Sequence, residues 1–115
     1  MSRISTHVLD ATTGRPAAGV AVVLSSATGE VPGEVLGESV TDADGRTALG
    51  PEEPSPGEHR LELATGAYFA QRGVPSFHPR VVVVFTVGDD GAGGRRHVHV
   101  PLLLSPFAYS TYRGS

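Results

Sequence analysis

Turn-forming residues interrupt this chain so often that few architectures remain open to it. The 115 residues include 15 glycines and nine prolines, and the segments between them are short and rich in β-branched side chains. Glycine and proline supply the backbone angles that tight turns need, whereas β-branched residues favour extended strands. The pattern therefore predicts an all-β fold, a two-sheet β-sandwich of about eight strands with one short helix.

Alternating polar and apolar side chains identify the individual strands. In the first candidate, residues 3–9, Ile4 and Val8 share one face and His7 lies on the other. The β-branched run at 80–87 is typical of a strand that is covered on both faces. Similar patterns predict further strands at residues 20–25, 35–41, 46–49, 58–64, 95–100 and 108–113.

The connections between strands follow from glycine, proline and aspartate. Asp44-Gly45 is a strong hairpin signal, and residues 67–72 form the one plausible helix, which ends at Gly73. Asp42-x-Asp44-Gly45 shares part of the spacing of a calcium loop, but other ligand positions hold valine and proline, so we interpret it as a turn. Irregular connections are predicted at residues 28–33, 50–57, 74–79, 89–94 and 101–106.

Composition and charge exclude several kinds of chemistry and partner. There is no cysteine, so neither disulfide bonds nor thiolate chemistry are available. The net charge is −3 and the nine basic residues are scattered arginines, which argues against nucleic-acid binding. The longest apolar run, residues 81–85, is far shorter than the roughly 20 residues that span a bilayer. No secretory signal is visible, so we expect a single cytoplasmic domain over residues 1–115.

Three histidines are the first candidates for chemistry. His97 and His99 are two residues apart on one predicted strand, which places their Cα atoms about 6.5–7 Å apart and both rings on the same face. They could be polar positions on a solvated face, a catalytic or binding pair, or, together with His7 of the first strand, ligands of a zinc ion. Spacing alone leaves these three interpretations open.

The last seven residues are the second candidate. Residues 109–115, YSTYRGS, are aromatic and strand-prone, whereas chain ends are usually polar and frayed. An ordinary edge strand would explain the pattern. A tail that packs to its last residue would instead hold the α-carboxylate of Ser115 in a fixed place.

These segments together resemble a known family, the 5-hydroxyisourate hydrolases, also called transthyretin-related proteins. HVHVPLLLSP at 97–106 and YSTYRGS at 109–115 are similar to its C-terminal signature. HVLD at 7–10 with Gly14-x-Pro16-Ala17 resembles the N-terminal signature, and TDADGR at 41–46 the central one. The final Tyr-Arg-Gly-Ser is the most specific piece, because true transthyretins lack it.

The resemblance implies a transthyretin-like fold of two four-stranded sheets, with the helix between the fifth and sixth strands. It also implies a homotetramer, a dimer of dimers with active sites at the dimer–dimer interface. The activity implied is hydrolysis of 5-hydroxyisourate to 2-oxo-4-hydroxy-4-carboxy-5-ureidoimidazoline in urate degradation, a part of purine catabolism. No cofactor or metal is expected, and neither nucleic acid nor membrane is an expected partner.

The family's catalytic residues correspond by resemblance to His7, Arg46 and His99. The two histidines would activate water, and Arg46 would bind a substrate oxygen or a developing oxyanion. His97 lies beside the site in sequence and is not given the central role. The substrate-binding residues implied by the resemblance are His7, Arg46, Tyr112, Arg113, Gly114 and Ser115.

Two other functions compete with this one. A transthyretin-type carrier would use the same central channel for a hydrophobic ligand, but its channel would need an apolar lining, whereas His7, Arg46 and His99 are polar or charged. A structural sandwich module, such as an adhesion or carbohydrate-binding domain, is usually one part of a longer secreted chain. An ultraviolet assay of 5-hydroxyisourate loss would separate the enzyme from both.

Overall fold

A computed structural model of the chain describes residues 4–29, 31–88 and 97–114. Those residues contain nine strands and one helix. The elements are β1 (Ile4–Asp10), β2 (Arg15–Pro16), β3 (Ala21–Thr28), β4 (Val31–Val40), β5 (Arg46–Leu49), β6 (Gly57–Leu63), α1 (Thr65–Gln71), β7 (Val81–Val87), β8 (Val98–Leu104) and β9 (Tyr109–Thr111). The predicted all-β class and the short helix are confirmed.

The strands form two sheets that enclose one core. The first has the order β2-β1-β8-β9, with β5 also paired to β1, and the second has the order β4-β3-β6-β7. Buried side chains alternate along β1 and along β6, so each strand presents one face to the core. The two-sheet sandwich is confirmed, and with the two-residue β2 set aside, the helix lies between the fifth and sixth strands as expected.

β1 is the centre of the first sheet and joins distant parts of the chain. It pairs antiparallel with β2 and β5, and parallel with β8 over its whole length from Ile4↔Val98 to Asp10↔Leu104. At its end the buried Asp10 accepts a hydrogen bond of 2.8 Å from the hydroxyl of Tyr68, which ties the helix to the sheet. Gly73, at φ +68°, follows the helix end.

The Asp44-Gly45 turn is present, but the hairpin prediction is wrong. β4 belongs to the second sheet, whereas β5 pairs with β1 of the first sheet. The turn therefore carries the chain from one layer of the sandwich to the other. Ser39 and Thr47 hold the crossing strands together through hydroxyl groups 2.6 Å apart.

The prediction of a connector at residues 101–106 is also wrong, because β8 continues through Pro101 to Leu104. The carbonyl of Pro101 accepts a hydrogen bond of 2.7 Å from Thr111, so the edge of Pro101 that lacks an N–H faces β9. Regular β9 pairing extends from Leu104 to Leu102 and does not include Pro101. Proline thus interrupts the pairing on one side without ending the strand.

Two smaller expectations also differ from the structure. The loop at 28–33 is shorter than expected, because β3 ends at Thr28 and β4 begins at Val31. β7 lies at an edge of its sheet and Val84 is 37% exposed, so the strand is not covered on both faces within the chain.

The predicted tip at 89–94 and the start of the 95–100 strand lie outside the described residues. In the described part of the chain, no helix is long and apolar enough to cross a membrane.

Candidate active site

Side chains on the outer face of β1 and its two neighbours form the candidate site. His7 is opposed to Arg46 across the β1–β5 pair, and Ser5 is opposed to His99 across the β1–β8 pair. Opposed residues on neighbouring strands project from the same face of a sheet. Along β1 the alternate residues, beginning with Ile4, are buried in the core, while Ser5 and His7 between them are half-buried. The sheet therefore gathers these four side chains from three strands on one face.

A compact turn determines where Arg46 starts β5. Asp42 Oδ1 accepts hydrogen bonds from the backbone N–H groups of Asp44 at 2.9 Å and of Arg46 at 3.0 Å. These N–H groups lower the pKa of Asp42, because they stabilise its ionised form. Gly45 has φ +73°, and a Cβ there would collide with the carbonyl oxygen of Val8. The motif that resembles a calcium loop thus positions the arginine.

His99 is held by contacts on two sides. Its Nδ1 lies 2.8 Å from Ser5 Oγ. Its backbone carbonyl accepts a hydrogen bond of 2.9 Å from the N–H of Gly114, in an antiparallel bridge. A Cβ added to Gly114 would lie 2.5 Å from Cδ2 of the His99 ring, so only glycine fits at this position without displacing the imidazole.

The surroundings of His99 favour a neutral ring. Burial is the largest cause that lowers the pKa of His99 below its usual 6.5, because a buried imidazolium loses hydration. Positive charge on His7, on Arg46 and, more weakly, on His97 lowers the pKa of His99 further. A hydrogen bond with the backbone of Ser5 acts in the opposite direction and raises the pKa. A neutral imidazole beside a permanent guanidinium charge can accept a proton near neutral pH.

A cavity of about 430 Å³ opens on this face. Ser5, Asp42, Arg46, His97 and His99 contribute to its wall. His7 is not among its lining residues, although it acts on His99 electrostatically. Most of the residues in its wall are polar or charged, and its volume falls in the range that accommodates a small organic molecule.

The tail residues line a second, smaller cavity. It measures about 280 Å³, and its wall includes Tyr112, Arg113 and His99 together with side chains of β7. His99 therefore borders both cavities. Gly114 contacts the His99 ring, and Ser115 lies outside the described residues.

The structure thus brings His7, Arg46 and His99 to one face and places Tyr112, Arg113 and Gly114 next to His99 rather than in the larger cavity. Ser5 is the site residue that the sequence did not single out. Alternation places Ser5 on the same face as His7, but nothing in the sequence indicates the parallel pairing that sets it beside His99. In the described part of the chain, no three His, Asp or Glu side chains lie close enough together to hold a metal ion.

Comparison with known proteins decides the family. The model of the HIUase/Transthyretin family matches residues 4–114. The chain belongs to this family. The match spans both sheets, the helix and the tail up to Gly114.

Two hydrolases and one transthyretin are similar to this chain over nearly its whole length. A 5-hydroxyisourate hydrolase of Caulobacter vibrioides is 45% identical over 116 residues, which cover 100% of both chains. The structure of the Klebsiella pneumoniae 5-hydroxyisourate hydrolase matches with a TM-score of 0.83 and 43% identity, covering 99% of this chain and 100% of that one. Transthyretin from Sparus aurata matches with a TM-score of 0.85 at 33% identity, covering 99% and 97%. Similarity of fold is therefore shared by the hydrolase and the transthyretin, while sequence identity is higher with the two hydrolases.

Proposed function

We propose that this chain is an enzyme that hydrolyses 5-hydroxyisourate to 2-oxo-4-hydroxy-4-carboxy-5-ureidoimidazoline in urate degradation. The observation that carries the proposal is the placement of His99 on the same face as His7 and Arg46. The high identity to hydrolases of two bacteria over their full length supports it. Residues 1–115 act as one domain in this proposal.

The reaction opens a lactam ring, and its steps fit these three residues. Water attacks the lactam carbonyl while an imidazole, His99 or its partner His7, removes a proton from the water. The carbonyl oxygen becomes an oxyanion, which the guanidinium of Arg46 stabilises. The carbon–nitrogen bond then breaks, and the leaving nitrogen receives a proton from the imidazolium. His99 is suited to the role of base because its lowered pKa keeps it unprotonated near neutral pH.

The tail completes the site in this proposal. Tyr112, Arg113, Gly114 and Ser115 bind the substrate or hold the histidines toward it. Support comes from the second cavity, whose wall contains Tyr112 and Arg113 beside His99, and from the contact of Gly114 with the ring. No metal or cofactor takes part in the steps.

Homotetramer formation and a cytoplasmic location belong to the same proposal. Two strands, β7 and β9, lie at sheet edges in the single chain, and Val84 and Tyr109 on them are 37% and 41% exposed. Such edges are available for pairing with another copy. Light scattering coupled to size exclusion should give four times the chain mass of 11.9 kDa, and cell fractionation tests the location.

Carrier activity without catalysis is the second candidate, favoured by the likeness to Sparus aurata transthyretin. The cavity on the β1–β5–β8 face contains an arginine, an aspartate and two histidines, which suits a polar substrate better than an apolar ligand. A carrier would bind such a ligand without changing it. An assay for substrate conversion therefore separates the two functions.

The test is ultraviolet detection of the loss of freshly generated 5-hydroxyisourate. Wild-type protein should accelerate the loss, and His99→Ala should lower kcat by about 100- to 10,000-fold. His78→Ala is the matched control, because His78 packs between the rings of Phe77 and Tyr109, away from the site. An inactive wild-type tetramer would refute the proposed function, and a fully active, folded His99→Ala protein would refute the role of His99.

A further inference from the structure

The imidazole of His99 has a hydrogen-bond partner that comes from the opposite end of the chain. Ser5 Oγ lies 2.8 Å from Nδ1, and the two residues are 94 positions apart in sequence. Both belong to regular strands that pair in register, so the sheet itself fixes the distance. Ser5 is half-buried and also lines the larger cavity. This contact occupies one of the two ring nitrogens and leaves Nε2 for other partners.

We propose that Ser5 is a positioning residue, which holds His99 in the tautomer with the proton on Nδ1 and the lone pair on Nε2. A neutral imidazole has one N–H donor and one acceptor nitrogen, and the hydrogen bond made by one nitrogen sets the role of the other. With Nδ1–H donating to Ser5 Oγ, Nε2 is the nitrogen that can take a proton. The kinetic consequences of this inference rest on the proposed hydrolase function, whereas the tautomer itself does not.

Charge near the ring supports this direction of the hydrogen bond. Arg46 lines the same cavity as His99, and its positive charge favours a lone pair over an N–H group on the free nitrogen. The serine hydroxyl can rotate its own hydrogen toward the cavity while its oxygen accepts from Nδ1.

Loss of the Ser5 hydroxyl should release this constraint. A free neutral imidazole in water favours the opposite tautomer, with the proton on Nε2, and that form presents an N–H where a base needs a lone pair. The fold should be little affected, because Ser5 lies on the outer face and its backbone pairing with β8 does not involve the hydroxyl. The inference therefore predicts a change in proton position and turnover with little change in stability.

The direct test is nitrogen NMR of protein labelled with ¹⁵N-histidine, at a pH where the imidazoles are neutral. The His99 resonances are assigned by their loss in His99→Gln. Wild-type His99 should show a protonated Nδ1 and an unprotonated Nε2, Ser5→Ala should shift the proton toward Nε2, and Ser5→Thr should keep the wild-type pattern. A wild-type ring protonated on Nε2, or an unchanged tautomer in Ser5→Ala, would overturn the inference.

Kinetics supply the second test. Ser5→Ala should lower kcat by about 10- to 100-fold with KM within about twofold, and Ser5→Thr should recover most of kcat. Ser26→Ala is the control, since Ser26 Oγ accepts a 2.9 Å hydrogen bond from the Glu34 N–H in the other sheet. Full kcat in folded Ser5→Ala, or no recovery in Ser5→Thr, would contradict the role. If wild-type protein proves inactive, the hydrolase proposal fails, and the NMR result still decides the tautomer.

Discussion

The backbone of Gly114 lies directly against the imidazole of His99. Its N–H donates to the His99 carbonyl at 2.9 Å, and an added Cβ would lie 2.5 Å from Cδ2 of the ring. His99 is consequently confined between the tail and Ser5 of β1. The tail signature therefore has a steric reason for its glycine, independent of any contact with substrate.

Gly114→Ala should displace the His99 ring and lower kcat/KM by about 10- to 100-fold, because small misplacements of reacting groups are costly. The matched control is Gly88→Ala, since a Cβ on Gly88 would meet nothing within 4 Å and its φ is not positive. Steady-state kinetics on both variants check the prediction. Equal activities in the two proteins would show that the contact does not matter.

Arg46→Gln should raise the pKa of His99. The guanidinium disfavours the imidazolium form, so its removal makes protonation easier. With His99 as the proposed base, kcat/KM should fall as the pH drops through this pKa, and in wild-type protein that fall should lie below pH 6.5, the usual value. The fall should move to higher pH in Arg46→Gln, and NMR titration of His99 measures the same shift without substrate. Arg15→Gln, on exposed β2, should leave the titration unchanged.

Asp42→Ala should impair activity through Arg46. The carboxylate oxygen accepts two backbone N–H groups at the start of β5, and alanine leaves both without that partner. Asp42→Asn keeps an acceptor oxygen and should retain more activity than Asp42→Ala. KM and kcat for both variants decide the matter, and an alanine variant as active as the asparagine variant would contradict this role of the turn.

Tyr68→Phe should destabilise the protein by about 1–3 kcal/mol, because the buried Asp10 carboxylate loses a hydrogen bond of 2.8 Å. Burial and the Asp10 contact raise the pKa of Tyr68 to about 12, which shows how strongly this hydroxyl keeps its proton. Urea unfolding measures the loss. Tyr109→Phe is the control, since Tyr109 is 41% exposed. Equal midpoints for the two variants would argue against the buried contact.

Local patterns in the sequence predicted most strands, because a half-buried strand must alternate its side chains. They failed where tertiary pairing decides. Pro101 suggested a break, yet β8 continues since only one edge of the strand lacks a donor. Asp44-Gly45 suggested a hairpin, but the strand after the turn pairs with β1 across the sandwich. A local turn signal does not specify which strand will pair with the strand that follows the turn.

The candidate site shows the same limit. Resemblance to the family pointed to His7, Arg46 and His99, and the structure places them on one face. The sequence does not single out Ser5, because a serine two residues before a histidine in a strand carries no signal until the residue opposite it on the neighbouring strand is known. The parallel β1–β8 register supplied that neighbour, and it joins segments that no local pattern connects.

The pairing of β1 with β8 also makes the site depend on a strand that is synthesised late. A nascent polypeptide that has emerged only as far as β7 holds His7 and Arg46 but lacks the strand that carries His99. Neither half can assemble the site by itself. Enzymatic turnover in this protein should consequently appear only after β8 has paired with β1, which makes it a sensitive reporter of finished folding.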